Sequence, residues 1–405
     1  MSELQLNNPM ISLEAFYLAA LERGYAVALW RQPGTLLPVA LAASAARHIE
    51  RVRMTESRPG FVFAPFAEDR PSLFLPAHHL LDRDGLHTAQ GQIPLTLAQP
   101  AHNAPRWYTA PDAPHSALAA PAFQQLVADA IHFIRTAHIA KVVVSRTAPV
   151  QLPPDFDPVA LFIVLCRRYP NAFVSLVTVP GVGAWLGASP ELLLRKRGQA
   201  LSTVALAGTR PLPADDSLAS VVWGAKEQDE QEMVSAYIRT VFDSAGAKQV
   251  VEEGPATIAA GGMVHLQTRF AVEAAGDADP ALADNVLDRL HPTSAVCGMP
   301  RNEALQFIQA REGYDRGFYS GYLGPVNIDG ASTLYVNLRC MQVRTTTAAL
   351  FVGAGITAKS DPAAEWRETE LKARTILDAI AETNSVTTSP EPARSVDFHP
   401  EALPV

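Results

Sequence analysis

The chain is poor in the features that usually announce a partner. Among its 405 residues there are three cysteines, Cys166, Cys297 and Cys340. They lie too far apart to form a CxxC or any other metal-ligand spacing, and free thiols in a reducing compartment are the simplest reading. Runs of basic residues are missing as well. Lys and Arg number 33 against 41 Asp and Glu, for a net charge of −8, so nucleic acid is not expected as a partner. No stretch reaches the ~18 apolar residues of a membrane span, and Met1-Ser-Glu-Leu-Gln-Leu-Asn-Asn8 has neither a basic nor an apolar leader region, so a soluble cytoplasmic protein is expected. There is no βαβ repeat and no glycine fingerprint for a dinucleotide.

What is present is core. The apolar fraction is 48%, enough for a large buried interior. Residues 11–110 read as an irregular mixture of one helix, Leu13 to Arg23, and short apolar strands such as Tyr25 to Trp30 and Gly60 to Ala64. Beyond them helices are predicted at Ala119 to Ala137, Asp157 to Tyr169, Glu227 to Ala245, Pro280 to Leu290, Arg301 to Gln309 and Ala363 to Thr383. Strands fall between, among them Lys141 to Arg146, a Pro180-Gly181 hairpin, Met263 to Ala274, and Leu334 to Val343. Strands joined by short turns, with helices inserted between groups, predict an α+β type of α/β fold, with large antiparallel sheets in a sandwich flanked by helices. The expected organisation is 1–110 as the N-terminal part of that fold, 111–383 as its catalytic core, and 384–405, rich in Ser, Thr and Pro, as a disordered tail.

One stretch stands out for chemistry. Phe351-Val-Gly-Ala-Gly-Ile-Thr-Ala-Lys-Ser-Asp-Pro-Ala-Ala-Glu-Trp-Arg-Glu368 is a glycine turn running into a capped helix start. Gly353 and Gly355 allow a ligand to approach the main chain closely, and Glu365 and Glu368 share one helix face, suiting a hard divalent cation. A capped, solvated helix with surface glutamates is the plainer alternative. Lys141 opens a β-branched strand, where desolvation would suit a neutral general base, although a strand-edge lysine is more often a solvated gatekeeper. Glu191, after the turn Gly187-Ala-Ser-Pro, precedes three leucines and would have its pKa raised, as an acid near neutrality needs; its plainer role is to cap the next strand. Glu232 lies in an acidic helix start that the helix dipole alone would favour.

In these residues the chain resembles the chorismate-utilising enzymes: isochorismate synthases, salicylate synthases and the large subunits of anthranilate and aminodeoxychorismate synthases. The resemblance covers roughly Ala119 to Ile380. It rests on Lys141-Val-Val-Val-Ser-Arg146, Gly187-Ala-Ser-Pro-Glu191, Leu206-Ala-Gly-Thr-Arg-Pro211, Val264-His-Leu266, His291-Pro-Thr-Ser-Ala-Val-Cys-Gly-Met-Pro-Arg301, Tyr314-Asp-Arg-Gly-Phe-Tyr-Ser-Gly321, Asn337-Leu-Arg339 and Gly353 through Glu368. It implies a buried site for chorismate and Mg²⁺. Position by position, Glu232 and Glu368 would hold the metal with Glu365 near it through water; because family members often have Glu-His where this chain has Glu232-Met233, Glu230 is the alternative. Arg339, Tyr319 and the Gly353 N–H would bind the enolpyruvyl carboxylate, and Gly208, Thr209 and His265 would line the ring side.

Within that family the lysine at 141 implies water as the nucleophile, with Lys141 as base at C2 and Glu191 as acid at the C4 hydroxyl. The implied product is isochorismate, for menaquinone or catechol siderophores. Salicylate synthases share the lysine but tend to carry threonine at the position of Ala295. The ammonia-using branch is set aside because Cys297 and Arg301 stand where it has serine and lysine. A chorismate-binding protein without turnover is the remaining alternative. The expectation is a monomer with no obligatory glutaminase subunit.

Overall fold

The computed structural model describes residues 12–56, 58–97, 106–110, 118–211, 213, 217–260, 263–272 and 281–387. Two antiparallel sheets, one of ten strands and one of nine, are stacked face to face. In order, the first runs Gly298–Met299, Lys141–Gln151, Thr347–Ile356, Cys340–Val343, Gly183–Ser189, Phe173–Val179, Ala26–Arg31, Val39–Ala43, His79–Asp82, Gly85–Thr88. The second runs Val250–Ala260, Met263–Val272, Ala200–Pro211, Leu192–Arg197, Ala331–Val336, Tyr322–Val326, Gly60–Ala64, Ser72–Pro76, Arg47–Ile49. The predicted fold class of antiparallel sheets flanked by helices is what the chain forms. Strands from the first hundred residues enter both sheets, Ala26–Arg31 against Phe173–Val179 and Gly60–Ala64 against Tyr322–Val326.

Both faces of these sheets are covered, and strand parity assigns each residue to a layer. In Ala26–Arg31, the alternate residues Ala26, Ala28 and Trp30 join Phe61, Phe173 and Trp185 in the core between the sheets. Val27 and Leu29 point the other way, into a core with Phe16, Phe162 and Ile376 from the helices Leu13–Glu22, Pro158–Arg168 and Pro362–Thr387. Helices Ala225–Ser244 and Leu282–Leu290 cover the nine-stranded sheet through Val234, Ile238, Phe242 and Leu287. The result is a sandwich of two sheets between two helical layers. The helix Pro362–Thr387 starts where the sequence predicts, with Asp361 Oδ1 accepting from the Ala364 amide at 2.7 Å, but continues past Thr383 into the segment read as tail. The rest of that segment, from residue 388, lies outside the described residues. Among the described residues no helix is long and apolar enough to cross a membrane.

One sequence-predicted strand is broken, with consequences for the site. Leu334 to Val343 forms two strands, Ala331–Val336 in the nine-stranded sheet and Cys340–Val343 in the ten-stranded one. Arg339, between them, has φ 48°, a left-handed conformation that cannot continue a strand and costs a non-glycine residue about 1–3 kcal/mol unless its surroundings hold it. Here the chain crosses from one sheet to the other.

Strand Lys141–Gln151 is fixed at its start by Gly298–Met299, which pairs Gly298 with Val142 and Met299 with Lys141. Gly298 has φ +139°, and a Cβ there would lie 2.3 Å from the Lys141 carbonyl oxygen. Gly298→Ala is therefore expected to destabilise the fold by about 3 kcal/mol through combined strain and overpacking, read as a lower midpoint in urea denaturation; a midpoint equal to that of the parent would show that this edge yields freely.

Candidate active site

One cavity gathers most of the residues singled out by the sequence. Lys141, Glu191, Gly208, His265, Ala295, Tyr319, Arg339, Gly353 and Glu368 all line it, and both sheets contribute. Parity explains the first of them. Val142 and Val144 face the helix Ala120–Ala137 and its apolar core, so Lys141 and Val143 face inward, to the cavity. Lys141 is 2% exposed, which rules out the solvated gatekeeper, and its Nζ lies 2.7 Å from Glu230 Oε1.

The helix that brings Glu230 to Lys141 turns the expected metal carboxylate, Glu232, outward. Glu232 does not reach the cavity; it is exposed on the outer side of helix Ala225–Ser244, where it accepts two hydrogen bonds from Arg239 at 3.0 and 3.1 Å. Two residues along an α-helix turn a side chain by about 200°, so a register error of two reverses the face. The register is set by Gln231, buried, which bonds the Ala207 amide at 3.0 Å, the Ala205 carbonyl at 3.2 Å and the Thr268 hydroxyl at 2.9 Å. With Gln231 tied to the sheet, Glu227 and Glu230 look into the cavity.

On the other helix Glu368 lines the cavity, while Glu365, only 2% exposed, sits behind its wall. Lys372, which sequence reasoning missed, pairs with Glu368 at 2.7 Å and donates to the Gly353 carbonyl at 2.9 Å. The spacing of Glu368 and Lys372 was visible as an i,i+4 pair, but such pairs usually decorate a solvated face.

Arg339 owes its place to the crossing between sheets. Its carbonyl accepts from the Ala188 amide at 3.1 Å, and Asn337 beside it is held by the Ser320 amide at 2.9 Å and the Phe318 carbonyl at 2.9 Å. The guanidinium is buried, and its Nη1 has no hydrogen-bond partner among the described residues. Burial pushes its pKa down, opposed by Tyr319, Glu368 and Glu191 among its neighbours. A buried cationic donor of this kind calls for an anion. Gly353 faces the same gap. It pairs with Ser145, whose amide points away to Glu312 Oε1 at 2.7 Å; in such a pair the Gly353 N–H and C=O are turned to the opposite side. The neighbouring strand ends at the Cys340–Phe351 pair, which leaves the backbone at Gly353 facing the gap. A Cβ at 353 would lie 2.8 Å from the Tyr319 hydroxyl, so glycine is required for Tyr319 to close in. The ring side is formed by Gly208, φ +61°, and by His265, whose Nδ1 is 3.2 Å from the Gly208 carbonyl oxygen. Thr209 pairs with His265 across the sheet, and its side chain lies outside the described residues.

Glu191 follows Pro190 and is clamped by the Val336 amide donating to its carbonyl at 3.0 Å. Desolvation raises its pKa to about 7; Lys141, Lys372, Arg339 and the Thr293 hydroxyl oppose the rise. A carboxyl whose folded pKa lies above its unfolded one binds more protons when folded, so the stability it contributes is lost as pH rises between the two values. Glu191→Gln is therefore expected to be more stable than the parent above pH 7, by on the order of 3 kcal/mol, with the difference vanishing toward pH 4. Urea denaturation across that range measures it; a difference independent of pH would show that Glu191 does not titrate there.

Residues 87–381 match the family model described as "Chorismate binding enzyme". Isochorismate synthase EntC of Escherichia coli is 33% identical over 263 residues, 64% of this chain and 66% of that relative's length. The vibriobactin-specific isochorismate synthase of Vibrio cholerae is 31% identical over 274 residues, 66% of this chain and 69% of the relative. Among solved structures, MenF, the menaquinone-specific isochorismate synthase of Escherichia coli, superposes with a TM-score of 0.74 at 22% identity, covering 92% of each chain. Anthranilate synthase component I of Streptococcus pneumoniae gives 0.62 at 17%, covering 93% of this chain and 95% of that one. The family match over most of the chain, on a fold that brings the chemical residues into one cavity, makes this protein a member of the chorismate-binding enzymes.

Proposed function

We propose that the protein is an isochorismate synthase, converting chorismate to isochorismate by adding water at C2 and expelling the C4 hydroxyl. The observation that carries this reading is a buried carboxyl with a pKa near 7, Glu191, sharing one cavity with a buried lysine, Lys141, and with the anion-seeking guanidinium of Arg339. The relatives named isochorismate synthase support it.

In this reading Arg339, Tyr319 and the Gly353 amide hold the enolpyruvyl carboxylate, while Gly208, Thr209, His265 and Ala295 shape the ring side. Lys141 as base takes a proton from the water that bonds to C2; both ring double bonds shift, the C4–O bond breaks, and Glu191 delivers its proton to the leaving hydroxyl. One water enters and one leaves, as an isomerisation requires. Glu230, at 2.7 Å, is the partner of the Lys141 ammonium. Lys141 and Glu191 are both buried, so these charges act at a lower dielectric than in water.

Glu230 and Glu368 are the carboxylates we assign to Mg²⁺, with Glu365 behind them. Their oxygens suit a hard divalent cation in kind, although each is engaged by a lysine and no three acidic, His or Cys side chains are gathered into a ready metal cluster among the described residues. When bound, the cation would neutralise the ring carboxylate. The lysines hold the two glutamates at the cavity wall, and a cation has to compete with both.

Purified protein incubated with chorismate and Mg²⁺, without ammonia, is expected to yield isochorismate on chromatographic separation. Salicylate with stoichiometric pyruvate would place it in the lyase branch instead, and dependence on ammonia would remove water as the nucleophile. Lys141→Ala is expected to lower kcat by about a thousandfold, within the range for loss of a general base. Activity should also decline as pH rises above 7, where Glu191 loses the proton it has to give. For the metal, Glu230→Gln and Glu368→Gln are expected to weaken the Mg²⁺ titration by tenfold or more, on the order found for a lost ligand contact, while Glu232→Gln leaves it unchanged; the reverse pattern would restore Glu232 as the ligand.

A further inference from the structure

The motif Tyr314-Asp-Arg-Gly317 takes no part in lining the cavity, yet Arg316 is buried to 3% exposure and Glu312, one turn before it, to 2%. The pair is doubly bonded, with Arg316 Nε 2.8 Å from Glu312 Oε2 and Nη2 also on Oε1. Phe66 lies under the guanidinium at 4.4 Å. A buried ion pair is seldom a net source of stability compared with apolar packing, so its other bonds are informative. Arg316 Nη2 donates to the Val143 carbonyl at 2.8 Å and Nη1 to the Val296 carbonyl at 2.8 Å. Glu312 Oε1 accepts from the Ser145 amide at 2.7 Å and the Ser145 hydroxyl at 2.9 Å.

These partners define a missing strand. The edge of Lys141–Gln151 is paired by Gly298–Met299 at positions 141 and 142, and the Cys297 carbonyl takes the Val143 amide at 2.8 Å. Beyond that the neighbouring chain turns away toward Thr293. The Val143 carbonyl and the Ser145 amide would be left without partners, and the guanidinium and carboxylate supply one each. The same guanidinium holds Val296, beside Ala295 in the cavity wall.

We propose that Arg316, braced by Glu312, is a positioning residue that fixes the Lys141 strand and the Ala295–Val296 loop relative to each other by substituting for a β-strand at the sheet edge. The proposal rests on the reading of Lys141 as the base. Arg316→Lys keeps the charge opposite Glu312, but an ammonium lacks the planar fork needed to serve two carbonyls and a carboxylate at once. The expected result is a kcat about a hundredfold lower with KM within about threefold, as for a base displaced by a fraction of an ångström. Amide exchange in peptides covering 141–145 and 295–297 should be faster as well. Arg31→Lys is the comparator: it removes another buried guanidinium, bonded to the Tyr169, Pro170 and Ala172 carbonyls and away from the cavity, and should lower stability without this loss of kcat. Equal kcat in the two variants, or unchanged exchange in both segments, would overturn the proposal. Should Arg316→Lys fail to fold, Ser145→Ala, which removes the hydroxyl's bonds to Glu312 and to the Tyr314 hydroxyl but keeps the amide's bond to Glu312, is expected to lower kcat about tenfold at constant KM, and a parental kcat would count against the brace. Exchange reads the two segments whether or not chorismate turns over, so failure of the proposed activity and failure of the brace are distinguishable.

Discussion

Charge held between two apolar sheets is the constraint on which the rest of the structure depends. An ionised group taken out of water is tolerated only with a partner or with a shifted pKa, and this fold uses both solutions within one layer. Lys141 has Glu230, and Arg316 has Glu312. Glu191 instead keeps a proton, with its pKa near 7. Arg339 is left with a donor that no described group accepts. The ligand-shaped deficit lies with Arg339, and the proton-transfer capacity with Glu191.

The sandwich creates that layer. Strands covered on both faces place every second residue between the sheets, and the inner positions are otherwise filled by Trp30, Phe61, Phe173, Trp185 and Phe351. Where the aromatic filling stops, the same parity delivers Lys141 and Val143. The helices Ala225–Ser244 and Pro362–Thr387 then contribute acids from two directions, so the cavity is acidic on its helical side and cationic toward Arg339. The break between Ala331–Val336 and Cys340–Val343 opens the ten-stranded sheet beside Gly353, where the N–H faces the gap and the carbonyl is taken by Lys372.

Much of this was legible in the residues. The helices were visible from their apolar spacing, and the resemblance carried by the ordered motifs brought Lys141, Glu191, His265, Tyr319, Arg339, Gly353 and Glu368 to one site before any fold was seen. Strands such as Val39–Ala43 and Ser72–Pro76 escaped because both faces are buried, so they show no polar alternation to read. The split at Arg339 escaped because a positive φ in an arginine has no local sequence signature.

The sequence by itself determined the kinds of groups available: carboxylates on two helices, a lysine in a valine strand, and glycines where backbone approaches closely. Only the tertiary structure decided which of them meet. Glu230 and Glu232 are chemically the same and two residues apart, and the choice between them was made by Gln231 docking on strands Ala200–Pro211 and Met263–Val272, which turns one glutamate toward Lys141 and the other toward Arg239. Helix orientation about its own axis is set by long-range contacts, and a one-dimensional pattern in which both faces carry acids cannot encode it.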